Sequence, residues 1–195
     1  YTTVQEGRAT GDALEAMIRA ANKDELLLDV VAYADIEGNS QYLSSEFASD
    51  QYQNKFRVAG AKLNLDGSPQ GKTAWLTHPY HKAFAIDWQI FVHANVDAAI
   101  DQFINSVDLA TKNYGNVDRR PVLIHGQTLR KDQIQQLVDL KIFPSLFPMH
   151  TFYWGDSHEE SVLGQPRASF ISPTKSVLDA GLMFSSHHDA PVASL

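Results

Sequence analysis

"VLIHG", residues 122–126, sets three aliphatic side chains directly against a histidine and a glycine. An unbroken apolar run of this length, bounded by Pro121 and Gly126, reads as a strand buried on both faces, as in a parallel sheet. The same form recurs outward along the chain. "IFVH" ends in His93, and "LMFSSHHD" ends in His187, His188 and Asp189, so each run carries its ionisable groups at its carboxyl end. His93 and His125 stand 32 residues apart, and Lys62 in "GAKLNLDG" lies 31 residues before His93, each about one strand-plus-helix unit. Strand ends that converge in this way form the catalytic face of a (β/α)8 barrel. An open doubly wound sheet would gather its ligands at one switch point and favour a Gly-rich phosphate loop, which the sequence lacks. The expected fold is therefore α/β, a partial (β/α)8 TIM barrel.

The intervening segments agree with that alternation. "GDALEAMIRAAN" (11–22) places Leu14, Met17, Ile18 and Ala21 at helical spacings. "ELLLDVVAY" follows as a strand, "NSQYLSSEFASDQYQ" as a short helix or loop, and "RVAGAKLNLDG" as a strand closed by the Asp66-Gly67 turn signal. "WQIFVHAN" and "RPVLIHG" read as strands, each followed by a helix, "DAAIDQFINSVDLATKN" and "RKDQIQQLVDLK". "IFPSLFP" is a short apolar run, "HTFYWGDSHEE" an aromatic loop, and "SPTKSVLDAG" a helix with Ser172 as N-cap and Pro173 in its first position. "LMFSS" closes the pattern as a strand. No linker or repeat interrupts residues 1–195, which read as one domain.

Composition narrows the partners. Sixteen basic residues against 23 acidic ones leave a net charge of −7 with no basic cluster, which argues against nucleic acid. No apolar run has the roughly 18 residues of a membrane helix, so no membrane partner is expected. The absence of cysteine confines any metal to His, Asp, Glu or Lys. Tyr1 starts in mid-pattern without an initiator methionine or signal peptide, so the chain reads as cut from a longer one. Localisation is unknown, with the cytoplasm slightly favoured.

Two or more imidazoles and an aspartate at one rim make a site for a divalent cation, with zinc the first guess. A cation there offsets the desolvation of Asp189, and it lowers the pKa of a bound water to about 7, supplying hydroxide at neutral pH. A single histidine at a strand end is as a rule a hydrogen-bonded structural residue, so it is the joint placement of His93, His125 and Asp189 that carries the metal reading. His187 and His188 cannot both face the site in an extended segment. His78 and His81, in "LTHPYH", are either solvated or in contact with substrate. Lys62, interior to a strand, either loses its proton and becomes nucleophilic or forms an ion pair with Asp66 or a neighbouring strand.

"KLNLDGSPQGKTAWLT", "FVHANVDAAID", "RPVLIHGQTLRKDQI", "FPSLFPMHTFYWGDSH" and "HHDAPVA" together resemble metal-dependent amidohydrolases, in the branch of N-substituted formamide deformylase. The resemblance covers the whole chain. It implies a barrel with one or two metal ions, joined to a small β-sandwich. It further implies that His93 and His125 are the fifth- and sixth-strand ligands and that Asp189 is the eighth-strand ligand and general acid/base. Lys62 matches the fourth-strand lysine that several members carry in carboxylated form, bridging two metals. The family's first-strand His-x-His pair is absent, Val96 stands where glycine is common, and "LTHPYHKAFAIDWQ" is short enough to suggest missing residues between His81 and Lys82. The chain thus corresponds to about strands 2 or 3 to 8, lacking the first strand and the sandwich.

The expected function is metal-dependent hydrolysis of a small-molecule amide, formamide or cyclic amide through metal-activated hydroxide. His150, Tyr153, Trp154, His158 and His188 are the expected substrate-binding residues, with a hydrophobic lid as the other reading of the aromatic loop. Open strand edges would call for a partner copy, a homo-oligomer, and the fragment alone should hydrolyse little. Two alternatives remain: a non-catalytic barrel fragment serving as an assembly module, and a C–O hydrolase, a lactonase or phosphoesterase, on the same site.

Overall fold

The structure, a computed structural model, describes residues 1–66, 89–189 and 192. His78, His81 and the junction between His81 and Lys82 lie outside the described residues. Seven strands stand in sequence order: β1 (Thr3–Ala9), β2 (Asp29–Asp35), β3 (Phe56–Asn64), β4 (Gln89–Ala94), β5 (Val122–His125), β6 (Phe143–Leu146) and β7 (Ser185–Ser186). The registers of β1 with β2, β2 with β3, β5 with β6 and β6 with β7 are all parallel. Parallel neighbours need a crossover, and helices supply it: α1 (Gly11–Asn22) after β1, the short turn α2 (Ile36–Asn39) after β2, α3 (Asp97–Tyr114) after β4 and α4 (Lys131–Asp139) after β5. Before β7 come α5 (Met149–Ser157) and α6 (Thr174–Asp179). This is the topology of a partial (β/α)8 barrel. No helix among the described residues is long and apolar enough to cross a membrane.

The described residues form two compact units, 1–63 with 89–91 and 64–66 with 92–189. In the first, Leu14 and Ala21 of α1 pack with Val30, Ala32 and Ala34 of β2 and with Phe56, Val58 and Ala61 of β3. The β2–β3 register slips between Ala32 and Tyr33, so that Tyr33 meets Gly60. Gly60 is required there, because a Cβ would lie 2.2 Å from the Gln89 carbonyl oxygen. Tyr33 also stacks on Phe91 at 3.8 Å and hydrogen-bonds the Gln89 side chain at 2.9 Å. One sequence expectation shifts in this unit, and one element was not read at all. β2 starts at Asp29 rather than in the leucine run, whose Leu27 is fully in solvent. β1, too polar and exposed to be read from its pattern, is a strand through its ladder to β2.

The second unit is built on Ile100, Phe103, Ile104 and Val107 of α3, Ile134 and Leu137 of α4, and the apolar residues of β5 and β6. Gln133, fully buried, ties α4 to α3: its Oε1 accepts from the Arg130 N–H at 2.9 Å, and its Nε2 donates to the Asp97 carbonyl at 2.8 Å and to Asp101 at 2.7 Å. Arg130 forks onto Asp101 at 3.0 and 2.9 Å. Three sequence readings are corrected. The aromatic loop is helical, α5 running into a single π-helical turn at His158–Val162. Ser172 does not cap α6, since its hydroxyl donates to the Phe147 carbonyl at 3.2 Å. The closing strand is only the two residues of β7, because Leu182–Phe184 make no ladder and Met183 is exposed.

Candidate metal centre

The second unit brings the ends of β4, β5 and β7 together. β5 ends on His125 with φ +76°, followed by Gly126 at +60°. A left-handed histidine costs on the order of 1–2 kcal/mol, held here where the Gly126 N–H donates across to the Ala94 carbonyl at the end of β4 at 3.2 Å. This conformation aims the imidazole at β7. There the His187 N–H continues the ladder to the Leu146 carbonyl at 3.1 Å, which orients the His187 ring toward β5. His125 Nδ1 and His187 Nε2 lie 3.1 Å apart, and His187 Nδ1 is 3.0 Å from the Ser145 hydroxyl. The His187 ring also stacks on Phe147 at 5.5 Å between centroids. Asp189, exposed in a turn with φ +54°, completes a set of three ligand atoms within 4.8 Å of one another.

That donor set fits a divalent cation. Two imidazoles and a carboxylate are the N/O ligands of zinc and its neighbours, and two nitrogens each about 2.0–2.1 Å from a tetrahedral ion stand roughly 3.3 Å apart. His93 lies beside the set, its ring centroid 4.3 Å from that of His125. Its Nδ1 is held at 2.7 Å by Asp66 Oδ1, the carboxylate–histidine arrangement that supports metal-binding imidazoles. Asp66 is buried and also accepts from the backbone N–H groups of Asn95 (3.0 and 2.9 Å) and Val96 (2.9 Å).

Of the residues expected from sequence, His125 and Asp189 thus lie in one set, with His93 beside His125. Lys62 belongs to the first unit, buried on β3 with Asp35 as its register partner on β2. His187 faces the cluster, and His188 is half-buried. His150 and Trp154 lie on α5 next to Phe147, with centroid separations of 4.5 and 6.4 Å, while Phe152 and Tyr153 are exposed. His158 is fully buried with its Nε2 2.7 Å from the Gln127 amide. Burial pushes the pKa of His150 down to about 3, helped by the nearby imidazoles of His158, His187 and His93, and burial also lowers that of His158. Both rings are held neutral. The sequence pointed to one of His187 and His188 without choosing between them, and to Asp66 only as a turn former or ion-pair partner of Lys62, although its place at the strand end before His93 was a usable signal; Ser145 and Gln127 carried no signal of their own.

The sequence profile of the amidohydrolase family matches residues 1–195. This chain belongs to the amidohydrolase family. An uncharacterized metal-dependent hydrolase from Pyrococcus horikoshii OT3 superposes with a TM-score of 0.74 at 22% identity, over 98% of this chain and 41% of its own. Another from Pyrococcus furiosus gives 0.75 at 21%, over 98% and 43%. A Xaa-Pro dipeptidase with bound methionine gives 0.60 at 15%, over 100% and 56%. At these identities the likeness establishes the fold, and this amidohydrolase chain spans about two-fifths of the length of the two Pyrococcus proteins. No curated protein sequence matches it significantly.

Proposed function

We propose that the protein containing this chain is a metal-dependent hydrolase of C–N bonds in small-molecule amides, formamides or cyclic amides. The observation that carries the reading is the convergence of His125, His187 and Asp189 within 4.8 Å, with His93 beside them. Family membership and two metal-dependent hydrolases among the structural neighbours support it, as does a dipeptidase, whose substrate bond is itself an amide. His125, His187 and Asp189 would hold the ion, with His93 as a further ligand; a carboxylated Lys62 is what the family resemblance alone implies. Zinc is the first candidate. When bound, the cation supplies Lewis acidity that polarises a carbonyl and acidifies a water.

The chain's own groups provide the rest. Asp189, exposed at the rim, accepts a proton from the attacking water and returns it to the leaving nitrogen. His150, kept neutral, offers a hydrogen bond without adding charge, and Trp154 beside it gives an apolar wall for the substrate's N-substituent. His188 completes the proposed substrate contacts, while His158, fully buried against Gln127, stands behind His150 rather than in contact with substrate. The test is metal content of the intact protein together with turnover of matched amide, lactone and phosphoester panels. Stoichiometric metal with amide turnover, abolished in His125→Ala and Asp189→Asn, is expected. Metal-free protein, or ester turnover alone, would sink the proposal.

A further inference from the structure

We infer that Asp66 is the positioning residue that decides which nitrogen of His93 is available as a ligand, an inference that rests on the reading of the metal centre above. Asp66 Oδ2 faces two backbone donors, the N–H groups of Asn95 and Val96, both at 2.9 Å. Oδ1 faces the Asn95 N–H at 3.0 Å and His93 Nδ1 at 2.7 Å. Backbone N–H groups only donate, so the carboxylate is committed as an acceptor and His93 must present Nδ1–H to it. That leaves the Nε2 lone pair as the ring's ligand atom. The same contacts anchor the approach to α3, whose N-cap, Val96, has no capping side chain. Ligand orientation and helix start therefore share one side chain.

The isosteric change Asp66→Asn separates the two roles. An amide has one acceptor oxygen and one NH2. Placing NH2 at the Oδ2 position sets it against two donors that cannot change. At the Oδ1 position it faces Asn95, which keeps its bond to the other oxygen, and His93, which can turn acceptor by moving its proton to Nε2. The second arrangement is favoured, so the variant keeps its helix but changes the His93 tautomer and removes the ligand lone pair.

The experiment is long-range imidazole nitrogen NMR on the intact metal-free protein, paired with zinc titration. Wild type should show a protonated Nδ1 and an unprotonated Nε2 at His93. Asp66→Asn should show the reverse, with zinc affinity about 10- to 100-fold lower. A wild-type His93 protonated on Nε2 overturns the inference, and this measurement alone decides it if the variant does not fold. An unchanged tautomer with unchanged affinity in a folded variant overturns it as well. If wild type takes up no zinc yet the variant switches tautomer, the role of Asp66 stands and the reading of the metal centre fails.

Discussion

His150 makes the stability of the second unit depend on pH in a calculable way. Its imidazole is almost wholly buried and its pKa falls to about 3, whereas an unfolded chain takes up the proton near 6.5. Across that window the unfolded state binds one more proton than the native state. The contribution is therefore fully present above pH 6.5, is lost as pH falls, and levels off near pH 3. The slope is about 1.4 kcal/mol per pH unit, which removes about 2 kcal/mol between about pH 8 and pH 5. His150→Leu tests this cleanly, because His150 Nδ1 has no hydrogen-bond partner among the described residues and an apolar replacement strands nothing at that atom. Urea unfolding of both proteins would be followed at the two pH values with chelator present. His158, also shifted downward, remains in both proteins. Wild type should lose about 2 kcal/mol more than the variant on acidification. Equal losses would refute the assignment of a neutral, proton-refusing His150.

Two further outcomes are expected. Gly60→Ala puts a methyl group 2.2 Å from the Gln89 carbonyl oxygen, a backbone atom that cannot swing aside; a loss of about 3 kcal/mol or more by denaturant unfolding is predicted, and a neutral substitution would show that the register slip at Tyr33 is wrong. Gln133→Leu removes two hydrogen bonds to α3 and one to the Arg130 N–H at the start of its own helix, and should cost roughly 2–4 kcal/mol, without altering metal affinity measured by titration.

The alternation of "IFVH" and "VLIH" with amphipathic helices was enough to specify parallel strands with histidines at their carboxyl ends, because buried strands and one-sided helices leave different periods in a sequence. Exposed elements left no such trace. β1 is polar on both faces, and its strand character comes from a ladder to β2 that no local pattern encodes. α5 was hidden by its aromatic composition, which favours strand by propensity while tertiary packing of His150 and Trp154 around Phe147 selects helix. The choice between His187 and His188 turned on parity in a strand of only two residues, where a shift of one residue reverses every side chain. The role of Asp66 was not legible because its partners, the His93 ring and the Asn95 and Val96 N–H groups, lie about thirty positions away, two of them backbone groups invisible to residue-type reasoning.

Ser145 gives the centre a freedom that Asp66 denies it. A hydroxyl rotates and serves as donor or acceptor with equal ease, so the bond to His187 Nδ1 survives whichever ring nitrogen holds the hydrogen. In the absence of an ion, one of the two facing nitrogens of His125 and His187 must carry a hydrogen between them. Binding of a cation there would require that hydrogen to be rehoused, and the serine hydroxyl would pair with His187 Nδ1 in either protonation pattern. One imidazole is thus locked in advance and another is left convertible.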